Sequence, residues 1–203
     1  MTGVQTCALP ILLTESAYYE RYLGYDDVGA FTAIAADSGV SMTDRDIADL
    51  VAGKALRLEE LERSGSVLFP GAREAIARIA AVWPVAIASG ALKAEILRVL
   101  DHESLRSVFP VVVSAEDTPT SKPDPAPYLR AVELLGADIG GLRASDCAAI
   151  EDSKWGLVSA RTAGLHTVGI THTYPASALS HDAERVIDHL NQFTPELVKS
   201  LAG

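Results

Sequence analysis

CAAIEDS, at Cys147–Ser153, is the stretch that decides the fold of this chain. Its small and apolar residues predict a buried parallel strand, and two adjacent carboxylates, Glu151 and Asp152, stand where that strand should end. The final serine fits the N-cap of a helix over Lys154–Ala163, which Gly164 closes. Ligands of open α/β sheets bind beyond the carboxyl ends of the strands, so two carboxylates there predict a metal or proton site. The alternative is an ordinary helix cap beside a solvated Glu151.

The composition is that of a globular protein. The 203 residues suit one α/β domain with a smaller appendage. A net charge of -10 argues against nucleic acid as a main partner, because phosphate backbones require clustered Lys and Arg. No apolar run approaches the roughly 20 residues of a membrane span, so no membrane partner is expected. Cys7 and Cys147 are too few for a disulfide framework, which predicts a cytoplasmic protein.

The first eleven residues, 1–11, fit neither a helix nor a strand pattern. They resemble the in-frame translation of a sequencing-library adapter, and we expect them to be a non-native leader. The alternative is a genuine disordered N-terminus. The first interpretation predicts that the natural protein continues upstream and has been cut.

Two regions follow the leader. Residues 12–65 read as a small helical module, with helices over Glu15–Leu23, over Val28–Asp37 (capped by Asp26 or Asp27), and after Thr43. Residues 66–203 alternate strands with helices, which predicts a parallel sheet covered by helices on both faces. The predicted strands are Val85–Ala88, Val111–Val113, Cys147–Ile150, His166–Ile170 and Val186–Ile187. The predicted helices of this region are Ala72–Ala81, Ala91–Leu100, one capped by Asp124 and ending at Gly136, Lys154–Ala163, and a terminal helix through Leu197.

Two further strand ends carry candidate site residues. Ser89 follows a strand and precedes a predicted helix, so its hydroxyl and nearby backbone N–H groups suit an anion, which Gly90 lets approach closely. Lys122 lies between prolines in Ser121–Pro125, where a stiff backbone directs its cation toward growing phosphate charge. Each residue has a plainer interpretation, a helix cap for the serine and a solvated side chain for the lysine. With these residues, the acidic pair predicts Mg²⁺, which prefers carboxylate oxygens and bridges to phosphates.

The order of these motifs resembles the haloacid dehalogenase (HAD) superfamily of phosphatases, in the branch with a helical cap that includes phosphoglycolate phosphatase and β-phosphoglucomutase. The matching motifs are Ala86–Gly90, Ser121–Pro125 and Glu151–Gly156, in that order. The lead-in Leu68–Gly71 and the phrase Tyr22–Asp27 are also similar to that branch. The likeness covers nearly everything after Leu12. It implies a HAD-like Rossmannoid fold of three layers, with residues 12–65 as a partial cap.

The resemblance also implies roles. Ser89 would bind a phosphate oxygen, Lys122 would steady the nucleophile and the phosphate, and Glu151 and Asp152 would ligate Mg²⁺. The substrate would be a small phosphorylated metabolite of the sugar phosphate or phosphoglycolate type. The intact protein would be a monomer or a weak dimer.

The family's first motif, an Asp-x-Asp on the central first strand, has no match here. The only Asp-x-Asp is Asp44-Arg45-Asp46, which no apolar strand precedes and which we interpret as charge at a helix start. We therefore expect an Mg²⁺-dependent phosphomonoester hydrolase that lacks its nucleophile, its general acid and its first strand, and that is inactive as given. The alternatives are a nucleophile-free binding or regulatory protein and a phosphomutase. A phospho-receiver domain ranks low, because its acidic residues precede its lysine.

Overall fold

The computed structural model describes residues 13–62 and 65–201 of the chain. The predicted leader at residues 1–11 lies outside these ranges. The helices of the described part are α1 (Glu15–Arg21), α2 (Asp27–Asp37), α3 (Asp44–Glu62), α4 (Ala72–Ala80), α5 (Lys93–His102), α6 (Ala126–Ile139), α7 (Lys154–Thr162), α8 (Ala176–Leu179) and α9 (Pro195–Leu201). The strands are β1 (Ala86–Ala88), β2 (Val111–Val113), β3 (Ala148–Glu151), β4 (His166–Ile170) and β5 (Arg185–Ile187).

Side-chain caps begin the first three helices. Of the two candidate caps of α2, the structure selects Asp26, whose Oδ1 accepts from the Gly29 N–H at 2.7 Å. At the start of α3, the Asp46 carboxylate accepts from both the N–H and the hydroxyl of Thr43. The lone Asp-x-Asp therefore lies in a first helical turn, as predicted, where negative charge complements the helix dipole.

Every strand pairing among the described residues is parallel. β1 pairs with β2, while β3, β4 and β5 form a second group in that order. The α/β class with parallel strands is thus confirmed. Within the described ranges, no strand pairing joins β1 to β3. The predicted loss of a central first strand stays a prediction.

The helices pack on both faces of the strands. On one face, Tyr128 of α6 and Ala160 of α7 pack with Ala149 of β3 and Ala88 of β1. On the other face, Ile79 of α4 packs with a cluster of strand and C-terminal residues, which are Val168, Ile170, Ile187 and Phe193. The strands alternate between the two sets because successive side chains point to opposite faces. This gives the three layers that the alternation of strands and helices predicts.

Several predicted helix bounds are wrong, and two of the differences have a clear physical reason. The N-cap of α6 is Pro125 rather than the predicted Asp124. The helix predicted to begin at Ala91 begins at Lys93, because Ala91 and Leu92 are used in the turn that leaves β1. The helix predicted to end at Gly136 runs on to Ile139 and ends at Gly140, where φ is 72°. A glycine is tolerated inside a helix, whereas a positive φ ends it.

No helix in the described ranges is both long enough and apolar enough to cross a membrane.

Candidate functional site

The predicted site residues meet at the carboxyl ends of the strands. Ser89 and Gly90 follow β1, Glu151 ends β3 and Asp152 follows it, and Lys122 lies in the loop between β2 and α6. All five line one cavity of about 200 Å³. Residues from three separate segments therefore converge on one space, where the topology of a parallel sheet places ligands.

Lys122 is held by groups on three sides. Its Nζ donates to the backbone oxygen of Ala88 at 3.0 Å and to Oε1 of Glu151. The ammonium also lies 5.2 Å from the ring centroid of Tyr128, within cation–π range. Its side chain is 15% exposed. The alternative of a freely solvated loop lysine is therefore wrong.

Glu151 is buried against the helix that follows it. Its side chain is 10% exposed, and its Oε1 accepts from the Tyr128 hydroxyl as well as from Lys122. A Cβ at Gly156 would lie 2.1 Å from the Glu151 Cδ, so the helix can pass over the carboxylate only with glycine there. The solvated Glu151 of the alternative interpretation is not observed. Oε1 is committed to Lys122 and Tyr128. Oε2 lies against Gly156 and is the carboxylate oxygen that remains for a cation.

Asp152 faces the cavity from the other side. Its Oδ2 accepts from the Thr173 hydroxyl, and Thr173 also lines the cavity. Across residues 13–62 and 65–201, no group of three His, Cys, Asp or Glu side chains is placed to hold a metal. Mg²⁺, however, often binds through one or two carboxylates together with waters and substrate phosphate. One aspartate and one glutamate oxygen fit that limited donor set.

Ser89 does not cap a helix, so the plainer interpretation of this residue is wrong. Its Oγ accepts from the N–H of Ala91 at 3.1 Å, which forms a turn ahead of α5. Helix α5 therefore begins at Lys93, four residues after Ser89. The hydroxyl proton of Ser89 remains a donor that an anion in the cavity can accept.

The helical region also lines the cavity. Leu23, Gly24 and Tyr25, from the segment between α1 and α2, line it together with Trp155 of α7. Gly24 lies so close to the indole that an added Cβ would be 2.4 Å from Cγ. Beside this contact, the Ser121 hydroxyl donates to Asp26 Oδ2 at 2.7 Å. The loop that carries the candidate lysine is thus tied to the start of α2.

The sequence patterns do not identify Tyr128, Thr173 or Trp155 as site residues. Thr173 follows β4, so the strand-end rule that found Asp152 applies to it as well. Tyr128 lies inside α6 and carries no pattern that separates it from a core residue. Burial, and then the nearby Glu151 charge, raise the pKa of Tyr128 well above its ordinary value, so its hydroxyl remains protonated and donates.

Comparisons with known proteins point to one family. Residues 12–164 match the haloacid dehalogenase-like hydrolases. CbbY of Rhodobacter capsulatus is 36% identical over 135 residues, which is 64% of this chain and 57% of that protein. Hexitol phosphatase B of Escherichia coli strain K12 is 30% identical over 162 residues, which is 78% of this chain and 68% of that protein.

A solved structure shows the same fold. CbbY of Rhodobacter sphaeroides in complex with phosphate superposes with a TM-score of 0.79 at 20% identity, covering 92% of this chain and 83% of that one. The chain covers 57% of the length of the CbbY proteins of Rhodobacter capsulatus and Cupriavidus necator. The family match spans 153 residues, and a lysine, a serine and an acidic pair of this chain line one cavity. The chain therefore belongs to the haloacid dehalogenase-like hydrolase family, which includes phosphatases.

Proposed function

We propose that this chain carries part of the active site of an Mg²⁺-dependent phosphomonoester hydrolase for a small phosphorylated metabolite. The observation that supports the proposal is the convergence of Ser89, Lys122 and Asp152 on one cavity. A hydroxyl donor, a cation and a carboxylate are what a phosphate monoester with a bound divalent cation requires. The sugar phosphate or phosphoglycolate class is proposed because the chain is similar to hexitol phosphatase B, and a cavity of about 200 Å³ is consistent with a small ligand.

Each residue has a distinct part in this proposal. The Ser89 hydroxyl donates to a phosphate oxygen. The Lys122 ammonium offsets the negative charge that shifts between phosphate oxygens in the transition state. Asp152, with Oε2 of Glu151, would hold Mg²⁺, which supplies charge neutralisation at the phosphate. Residues 12–65 would act as a partial cap, because Gly24 and Tyr25 line the cavity together with the strand-end residues.

The chemistry needs a nucleophile that the described cavity does not offer. In the proposed reaction, an aspartate oxygen attacks phosphorus and the substrate's ester oxygen leaves with a proton from a second acid. Water then cleaves the aspartyl-phosphate and releases inorganic phosphate. The sequence's lone Asp-x-Asp, Asp44–Asp46, lies at the start of α3, and neither aspartate lines the cavity. We therefore propose that this chain alone binds phosphate without hydrolysing its esters.

Binding and turnover measured separately test the proposal. We expect inorganic phosphate to bind with Mg²⁺ present, and Lys122→Met and Asp152→Ala each to weaken that binding. Lys154→Met is the matched control, since Lys154 lies over the Trp155 ring and outside the cavity lining. We expect no hydrolysis of p-nitrophenyl phosphate. Phosphate binding that Lys122→Met leaves intact contradicts the site, and hydrolysis abolished by Asp152→Ala contradicts the inactivity.

A nucleophile-free binding or regulatory protein is the second candidate. It is favoured by the same combination of phosphate-binding residues with no strand-borne Asp-x-Asp in the sequence. The coding sequence upstream of the codon for Leu12 separates the two. An in-frame strand that ends in Asp-x-Asp supports the hydrolase, whereas a start codon at that point supports the binding protein.

A further inference from the structure

Tyr128 lies behind the candidate phosphate site. It belongs to α6, is 8% exposed, and is absent from the lining of the cavity. Its hydroxyl donates to Oε1 of Glu151, the same oxygen that receives the Lys122 ammonium. Its ring face also lies 5.2 Å from that ammonium. One side chain therefore contacts both members of the ion pair.

This contact matters because lysine has a flexible stem. A carboxylate alone can accept a hydrogen bond from an ammonium in many directions. The flexible four-carbon stem of lysine lets its ammonium sample all of them. A second donor on Oε1 restricts where Glu151 can turn, and the packing of Gly156 against the carboxylate restricts it further. Ala88 O and Glu151 Oε1 take two of the three N–H groups of Lys122. One N–H group is left for an anion in the cavity.

We propose that Tyr128 is a positioning residue, which fixes the Lys122 ammonium at the phosphate cavity through Glu151 and through its own ring. The inference rests on the proposed phosphate site. In this role Tyr128 lies outside the cavity and acts only through other residues. Glu151 then holds Lys122 in place, in addition to any contact with Mg²⁺. It requires no change in the charge of any of these groups.

The test is a ¹H–¹⁵N spectrum of the lysine ammonium groups combined with a titration with inorganic phosphate. The chain has five lysines, so Lys122→Met assigns the Lys122 signal by difference. In Tyr128→Phe we expect this signal to broaden or disappear while the other lysine signals persist. We expect phosphate to bind about tenfold more weakly, the effect of losing one hydrogen bond to a charged group. Tyr18→Phe, in α1, is the matched control and changes neither reading.

The outcomes separate the two proposals. An unchanged Lys122 signal and unchanged phosphate affinity in folded Tyr128→Phe overturn the positioning role. A wild-type chain that binds no phosphate overturns the site, and the ammonium spectrum then still tests the positioning. If Tyr128→Phe does not fold, the wild type decides, because a lysine over a ring face has upfield-shifted ε-methylene protons with cross-relaxation to the ring protons. Their absence refutes the contact.

Discussion

Replacing Gly156 by alanine tests whether Glu151 is fixed in place. Gly156 is the third residue of α7, and its N–H donates to the Ser153 cap at 3.0 Å. The added Cβ would lie 2.1 Å from Cδ and Oε2 of Glu151. Ordinary carbon contacts lie at about 3.5–4.0 Å, so the carboxylate must retreat by about 1.5 Å. Hydrogen bonds to Lys122 and Tyr128 do not survive a shift of that size.

The expected magnitude follows from two opposing effects. Breaking a buried ion pair costs about 3–5 kcal/mol, and we take about 3 kcal/mol because the carboxylate is displaced rather than removed. Alanine gains about 1 kcal/mol over glycine inside a helix. The free energy of unfolding should therefore fall by about 2 kcal/mol. Gly53→Ala is the matched control, since Gly53 lies within α3 and its added Cβ meets nothing within 4 Å. That variant should gain about 1 kcal/mol.

Urea unfolding followed by circular dichroism measures both variants against the wild type. If Gly156→Ala is as stable as the wild type, or gains stability as Gly53→Ala does, Glu151 swings aside at little cost. Lys122 and Tyr128 then do not hold the carboxylate in place. An unchanged Lys122 ammonium signal in Gly156→Ala would refute it in a second way.

Two further predictions concern other contacts. The Ser114 hydroxyl and N–H, with Lys93, lower the pKa of Asp117 from 3.8 to about 2, so its contribution to stability is complete above pH 3.8 and is lost as the pH falls toward 2. Because the Asp117 side chain is 35% exposed, that contribution is discounted to about 1 kcal/mol. In acid unfolding, the difference in free energy of unfolding between wild type and Asp117→Asn should shrink to zero between those pH values. A difference that stays constant with pH contradicts the prediction. Gly24→Ala should push the α1–α2 segment off the Trp155 indole, since Cβ would lie 2.4 Å from Cγ. In a Trp83→Phe background, acrylamide should then quench the remaining tryptophan more strongly, and unchanged quenching shows that the two segments are not in contact.

Much of this site is predictable because strand ends are predictable. Short apolar runs followed by polar residues identify β1 and β3, and the rule for parallel sheets then brings Ser89 and Asp152 to one edge. Lys122 was predictable for a different reason, since the prolines around it mark a rigid loop. These are local features of the sequence. The roles of these residues in phosphate and metal binding stay predictions until binding is measured.

The contacts that complete the site are not local. Tyr128 reaches Glu151 across 23 positions, and Ser121 reaches Asp26 across 95. Nothing in a single sequence marks a tyrosine on a helix as a partner of a distant carboxylate rather than a core residue. The helix bounds failed for a related reason. Whether Gly136 ends α6 depends on the backbone angle that packing imposes, and packing allows the helix to continue to Gly140.

In the proposed site, holding a phosphate and cleaving its ester depend on different residues. Ser89 and Lys122 are fixed by β1, by Glu151 and by α6, all within the described chain. Their arrangement therefore does not require the nucleophile to be present. Attack on phosphorus, in contrast, needs a carboxylate in line with the leaving oxygen, and the two aspartates of Asp44–Asp46 are committed to starting a helix. A chain that binds phosphate through Lys122 and yet leaves its esters intact is the outcome that this division of the site predicts.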